Sequence, residues 1–182
     1  MKKYLLLVLG LLLFAVPVQA ANKVYVARET AVTFNDTTAA TTLGLNALAA
    51  DTATISDRAD LGAGSTAELF NIRAVIEWDS PPAEFETADI YIATSDGTDA
   101  DGDIGTTAAD LTDNDDLKNM MFVGSVIATS ATQDKEFVAS FNTRITTRYY
   151  SVVVHNTSAA DTLQATNDLS YVIVTPIPPE IQ

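Results

Sequence analysis

Past Ala20, apolar residues recur at every second position, and Val, Ile, Thr, Tyr and Phe are frequent in these stretches. A period of two with β-branched and aromatic residues is typical of half-buried strands. The pattern predicts eight strands, over Lys23–Phe34, Ala53–Ala59, Ala67–Trp78, Ala88–Thr94, Phe122–Thr129, Glu136–Phe141, Arg148–His155 and Ser170–Thr175. The chain is therefore expected to be nearly all β.

The stretch Ala67–Trp78 shows this alternation best. Its apolar residues fall on one face, namely Phe70, Ile72, Ala74, Ile76 and Trp78. The opposite face carries the polar residues Asn71, Arg73 and Glu77. Because only one face of such a strand needs to be buried, the pattern favours an antiparallel sheet.

Turn-forming residues separate the strands, at 62–65, 79–82, 96–98 and 156–158. Short strands with turn-rich connections and no crossover helix predict a single antiparallel β-sandwich, with a jelly roll as the preferred topology and an immunoglobulin-like sandwich as the alternative. Apart from a signal-like helix at the N-terminus, Ala39–Ala50 is the only segment expected to form one or two helical turns.

The first twenty residues have the order of a secretory signal. Lys2 and Lys3 precede an apolar run of 13 residues, Tyr4–Val16, and Val18-Gln19-Ala20 ends in a small residue. The run is shorter than the roughly 20 residues that span a bilayer, although an uncleaved anchor is the alternative. We expect cleavage after Ala20, an exported β-sandwich domain over 21–175 with no stable membrane insertion, and an extended Pro-rich tail over 176–182.

The charge balance narrows the choice of partners. The chain has 10 basic and 24 acidic residues, and the signal holds two of the lysines, so the predicted mature part carries 8 − 24 = −16. Nucleic-acid affinity depends on Lys and Arg that neutralise phosphates, so nucleic acid is excluded as an expected partner. The absence of cysteine excludes thiol catalysis and disulfides.

A long acidic connection over residues 95–119 is the most conspicuous local feature. Asp99, Asp101 and Asp103 place carboxylates on alternate residues, and calcium prefers several such oxygens from a flexible loop. Ile104 and Asp110 occupy the positions where an EF-hand has Gly and Glu. The three aspartates are therefore candidate calcium ligands, and a solvated loop extended by its own repulsion is the alternative.

No catalytic constellation is evident. His155 is the only histidine, and no Gly-x-Ser-x-Gly elbow or phosphate-binding glycine loop accompanies it. Four aromatic residues, Trp78, Tyr149, Tyr150 and Tyr171, form either a sugar-binding platform or part of the core. We predict no catalytic residue, no cofactor other than the candidate calcium, and no enzymatic activity.

Several stretches in order resemble a family of small virion structural proteins of tailed bacteriophages. They are residues 55–62, 90–98, 101–105 and 148–156, and the near-terminal Pro-Ile-Pro-Pro-Glu-Ile-Gln at 176–182. The resemblance implies a virion component, either capsid-decorating or tail-associated, and it transfers no catalytic residue. A signal peptide departs from this expectation, because virion proteins assemble in the host cytoplasm.

Two functions follow as expectations. The first is a non-enzymatic structural protein in the virion that binds capsid or tail subunits and associates with itself. The extended Pro-rich segment over 176–182 of the chain would add a strand to a neighbouring subunit. The second is a secreted module that binds carbohydrate or a cell surface and is stabilised by calcium. The protein is thus expected in the virion or outside the cell.

Overall fold

The computed structural model describes residues 30–62, 68–100, 107–111, 114–132, 135–166 and 169–177. The predicted signal peptide and residues 178–182 lie outside this range. The described part contains one 3-10 helix, Asn114–Asn119, and ten strands: β1 Val32–Phe34, β2 Thr52–Ile55, β3 Ala59–Asp60, β4 Leu69–Ile76, β5 Thr87–Ser95, β6 Ala109–Asp110, β7 Met121–Ile127, β8 Phe137–Arg144, β9 Tyr149–Asn156 and β10 Tyr171–Ile177. No helix in it has the length and hydropathy of a membrane span.

The strands form two antiparallel sheets. The first sheet has the order β1-β10-β4-β8, and the second has the order β6-β2-β9-β5-β7, with β3 also paired to β9. When the two-residue strands β3 and β6 are left out, the eight others follow the orders 1-8-3-6 and 2-7-4-5 along the chain. This is the strand order of a jelly roll, so the predicted fold class and preferred topology are confirmed.

The core lies between the sheets, as the alternation along β4 predicts. Phe70, Ile72, Ala74, Ile76 and Trp78 are all at most 1% exposed. The exposed position predicted for Glu77 is wrong, because the residue is 4% exposed. The segment that precedes β10 runs over it, with Gln164 donating its backbone N–H to the Glu77 carbonyl at 2.8 Å.

Segments outside the long strands complete this core. In 39–50 isolated hydrogen-bonded turns and a bridge at Thr42 replace the predicted helical turns, and Leu43, Leu45 and Leu48 from this segment are buried. Strand β10 continues two residues beyond the predicted end at Thr175, with Pro176 opposite Phe70. Since β1 begins only at Val32, opposite Val174, β10 has a single paired neighbour here and tolerates a proline.

Asn156, which the sequence places at the start of a turn, is a fully buried hub at the end of β9. Its Oδ1 accepts hydrogen bonds from Trp78 Nε1 and from the backbone N–H of Ser158, both at 3.3 Å. Its Nδ2 is directed at the carbonyls of Leu48 and Ala49 at 3.1 Å and of Asp161 at 2.8 Å. One side chain therefore ties β9 to two separate loops.

The described part of the acidic connection folds onto the outer surface of the second sheet. Its apolar residues Ala100, Leu111 and Leu117, and Met120 just after it, are at most 9% exposed. They pack against outward-facing residues of the sheet, namely Ala53, Ile55, Ala93 and Val153. This second small core holds the described part of the connection on the sheet, although its aspartates suggest a freely solvated loop.

Candidate functional site

His155 does not lie in a catalytic arrangement. Its side chain is 13% exposed on β9, and Nε2 lies 3.4 Å from Asp51 Oδ1. Nε2 is buried and makes no hydrogen bond to a described residue. A general base needs a nucleophile within hydrogen-bond distance, and Nε2 has none among these residues. His155 therefore has the structural position at a strand end that its sequence context predicts.

The four candidate platform aromatics are not brought together. Trp78 and Tyr150 lie in the core, where Tyr150 makes an edge contact with Phe34 at 5.9 Å between ring centroids. Tyr171 lies on the outside of the first sheet and its hydroxyl accepts a hydrogen bond from Arg73 at 3.3 Å. Tyr149, on the outside of the second sheet, is the member that combines partial exposure with an adjoining cleft.

The Tyr149 ring is flanked by two arginines. The guanidinium carbons of Arg58 and Arg148 lie 4.6 Å and 4.8 Å from the ring centroid, within cation–π distance. Gly97, at a φ of 110°, lies against the ring, and a Cβ there would be 3.0 Å from it. Its carbonyl also accepts a hydrogen bond from Arg58. These contacts hold the ring in one orientation.

Asp60 completes this stack by binding Arg148 through both carboxylate oxygens, each at 2.8 Å. The hydrogen bond from Arg148, followed by one from the backbone of Gly62, lowers the pKa of Asp60 from 3.8 to about 2. The same hydrogen bond raises the pKa of Arg148. Both groups stay charged at neutral pH, so the arginine remains in place beside the ring.

An open cleft of about 380 Å³ adjoins the stack. Its lining is Thr94, Ser95, Asp96, Asp99, Ala100 and Thr147. Ser95 lies directly opposite Tyr149 in the ladder between β5 and β9. The Ser95 hydroxyl donates to the Asp99 carbonyl at 2.6 Å, which fixes the wall of the cleft. The cleft thus offers hydroxyl and carboxylate groups beside an aromatic ring.

Of the three candidate calcium ligands, only Asp99 is described, and its side chain is exposed at this cleft. Asp101 and Asp103 lie outside the described residues. Among the residues that the structure does describe, no three acidic or histidine side chains are grouped as metal ligands. The calcium site therefore stays a prediction.

A second surface feature is a set of exposed apolar residues along one side of the sandwich, which we call the β7–β8 side. Its members are Phe85, 72% exposed, Phe122, 55%, and Ile127, 47%. Strands β7 and β8 are the terminal strands of the two sheets and contact each other. Phe85 belongs to this side because its backbone N–H donates to the Ala128 carbonyl, just after β7.

Two residues of this side have unusual local structure. Phe85 has a φ of 76°, a left-handed conformation that is rare for a bulky residue. Phe122 makes an edge contact with Tyr91 at 5.4 Å, and burial, with a smaller contribution from Asp89, raises the pKa of Tyr91. The sequence analysis did not predict that Phe85 and Phe122 lie on the surface. For Phe85, its place in the polar segment 79–86 is a signal that indicates exposure.

Comparison of the sequence with family models and with curated proteins gives no match. Among solved structures, the chain is similar to one described as "EclA C-terminal domain; sugar-binding protein". The identity is 10%, the TM-score is 0.28, and the likeness covers 85% of this chain and 82% of that one. A likeness of this degree says nothing about what the present chain binds.

Proposed function

We propose that the protein is a non-enzymatic structural component of a tailed-phage virion, either capsid-decorating or tail-associated, that binds a repetitive protein surface. The observation that carries this proposal is the β7–β8 side, where three large apolar side chains are presented to solvent. The ordered resemblance to virion proteins supports it independently. The strongly acidic composition favours a protein partner over nucleic acid.

The β7–β8 side has the physical character of a docking surface. Phe85 and Ile127 lie at the same end of β7, and adjoining exposed apolar residues mark interaction sites more often than scattered ones do. Phe85 is also held in a left-handed conformation, which costs about 1–3 kcal/mol when nothing local favours it. An aromatic residue that is both exposed and strained is better explained by contact with a partner than by the stability of the fold.

Occupancy of particles tests the proposal. We expect mass spectrometry of purified virions to detect the protein, and particles lacking it to rebind the added wild-type chain. Phe85→Ser and Phe122→Ser should each reduce occupancy at least about tenfold, since a buried phenylalanine contributes about 1.5–3 kcal/mol. Glu84→Ser changes the neighbouring exposed residue of the same loop and should leave occupancy unchanged.

Absence of the protein from particles would disprove the virion role. Equal occupancy by the wild type and both phenylalanine variants would show that another surface does the docking. Circular dichroism melting of each variant separates lost docking from lost folding.

A second candidate function is carbohydrate binding at the Tyr149 cleft. It is favoured by a partly exposed ring that contacts two arginines beside a cleft lined with hydroxyl and carboxylate groups. A cleft with a few convergent polar and charged groups is typical of small-molecule sites.

A glycan array followed by calorimetry tests this second function. We expect Tyr149→Ala to weaken any glycan binding at least about tenfold, because the ring that orders Arg58 and Arg148 beside the cleft is lost, and Tyr149→Phe to retain it. Failure of the wild type to bind any glycan would disprove the hypothesis. Equal binding by the wild type and Tyr149→Ala would show that the glycan site lies elsewhere on the protein.

A further inference from the structure

Asp89 lies on the outer surface of the second sheet, where the ladders place it between Ser125 of β7 and His155 of β9. The Ser125 hydroxyl donates to Asp89 Oδ1 at 2.6 Å. No Lys, Arg or His nitrogen of the described residues lies within 4.0 Å of the Asp89 carboxylate. Within the described part of the chain, the charge of Asp89 is therefore not neutralised by a cation.

The imidazole of His155 is directed at a different carboxylate. Its Nε2 lies 3.4 Å from Asp51 Oδ1. Asp51 directly precedes β2, and β9 lies between β2 and β5, so Asp51 and Asp89 are on opposite sides of His155. Because the imidazole is directed at Asp51, the Asp89 carboxylate is left to accept a donor from outside the molecule.

Two aromatic rings adjoin this carboxylate on the same surface. Tyr91 follows Asp89 by two residues on β5, so both side chains point outward from Cα atoms about 7 Å apart. Phe122, 55% exposed, is directly opposite Tyr91, and the two rings are in edge contact at 5.4 Å. Burial raises the pKa of the Tyr91 hydroxyl, and the charge of Asp89 raises it further. We call Asp89, Tyr91, Phe122 and Ser125 the Asp89 site.

We propose that the Asp89 site binds an arginine side chain, presented by the protein surface on which this chain docks. A guanidinium has a planar surface that stacks on aromatic rings and paired N–H donors that match a carboxylate. The Asp89 site offers both contacts, namely a carboxylate without a described cation and the exposed ring of Phe122. With 24 acidic and 10 basic residues, the chain also attracts cationic surfaces from a distance.

This inference deepens the proposed docking function, and it rests on that function for the identity of the partner as a repetitive protein surface. Phe122 belongs both to the β7–β8 side and to the Asp89 site, so a partner that contacts Phe122 lies over the adjoining carboxylate. The chemistry of the site is a property of the isolated chain and is testable without particles.

Titration of the nitrogen-15-labelled mature chain with Nα-acetyl-arginine amide tests this chemistry by NMR. We expect chemical-shift changes centred on the backbone amides of the Asp89 site, with a Kd on the order of 10 mM for so small a probe. Nα-acetyl-citrulline amide has the same shape without the charge. At matched ionic strength it should bind at least about fivefold more weakly, because the charge-assisted hydrogen bonds are lost.

Three variants locate the binding. Asp89→Asn removes the charge but keeps an oxygen for the Ser125 hydroxyl, and it should weaken binding of the arginine probe about threefold. Phe122→Ser removes the exposed ring and should weaken binding to a similar degree. Glu84→Gln removes the same charge as Asp89→Asn from an exposed residue outside the site and should leave binding unchanged. The melting curve of Asp89→Asn should match that of the wild type, since the substituted group lies on the outside of the sheet.

Equal binding of the arginine and citrulline probes would overturn the inference, and so would equal binding by the wild type and Asp89→Asn. Weakening by Glu84→Gln as large as that by Asp89→Asn would do the same, since it would reflect net charge alone.

Particles separate this inference from the proposed function. Where particles hold the wild-type chain, Asp89→Asn should reduce occupancy and Glu84→Gln should not, and unchanged occupancy with Asp89→Asn would overturn the contact with an arginine of the partner. Absence of the wild type from particles would disprove the virion role alone, because the titration decides the chemistry of the Asp89 site.

Discussion

Replacing Asn156 by Asp is expected to lower the free energy of unfolding by about 3–5 kcal/mol at neutral pH, the cost of an uncompensated buried charge. The substitution replaces Nδ2 of Asn156, which is directed at three backbone carbonyls, by an oxygen that faces the same carbonyls. The side chain is fully buried, so water cannot supply the missing donors. Urea denaturation at pH 7 measures the loss.

The same variant should show a distinct pH dependence. Burial among carbonyls disfavours the charged carboxylate, so its pKa in the folded state lies above the value of about 3.9 for an unfolded chain. The destabilisation is therefore complete above the folded-state pKa and decreases as the pH falls toward the unfolded value. The gap between wild type and variant should be smaller at pH 4 than at pH 7.

Asn142→Asp is the matched control, because it makes the same chemical change on an exposed residue of β8. Its Oδ1 accepts a hydrogen bond from Asn71 at 3.0 Å, which an Asp would keep. We expect a change within about 0.5 kcal/mol, as for most surface substitutions. Equal stabilities of the two Asp variants would contradict the role of Asn156 as a hub.

Gly124→Ala is expected to cost about 1–3 kcal/mol, the range for adding volume to a packed interior. Gly124 lies in β7 opposite Ile90, at a register shift in the ladder with β5. A Cβ there would be 2.3 Å from Cε1 of Phe141, a ring that crosses from the other sheet and packs on the core. The ring must move, and the contact between the terminal strands of the two sheets loosens.

A double-mutant cycle attributes this cost to the ring. In a Phe141→Ala background the obstructing atoms are gone, so Gly124→Ala should add little. Gly44→Ala is the control, since its Cβ would meet Thr54 Oγ1 at an ordinary 3.4 Å. A Gly124→Ala cost equal to that of Gly44→Ala, or the same in both backgrounds, would refute the steric explanation. Thermal denaturation followed by circular dichroism measures the four proteins of the cycle and the Gly44→Ala control.

Local periodicity was sufficient to predict the strands. Each of the eight predicted strands overlaps a strand of the structure, and the inward face of β4 is the predicted one. Alternation depends only on neighbouring residues, because successive side chains of a strand point to opposite faces. The boundaries were less accurate. Strand β10 runs on through Pro176, because pairing with β4 continues after pairing with β1 has ended.

Residues whose environment comes from distant segments were predicted poorly. The alternation of apolar and polar residues places Glu77 on the exposed face of its strand, yet the segment before β10 covers it. Asn156 has the sequence context of a turn, yet its partners are Trp78, 78 positions away, and the loop at 48–49, more than 100 positions away. No local pattern contains such contacts, since they arise only when the sheets close.

The properties of the candidate surfaces were likewise predicted only in part from the sequence. Composition alone determined that the chain is acidic and lacks the cysteines and paired histidines of common catalytic sites. Only the tertiary structure decided where part of this charge lies, because apolar residues such as Leu111 and Leu117 hold the described part of the acidic connection on the second sheet.

The sequence by itself therefore determined the strands, the inward face of β4 and the overall sign of the charge, because each depends on near neighbours or on a sum over residues. The tertiary structure alone decided the burial of Asn156 and Glu77, the contact of Tyr149 with two arginines, and the exposure of Phe85 and Phe122. The physical reason is that sheet pairing joins residues far apart in the chain, and their environment exists only after that pairing.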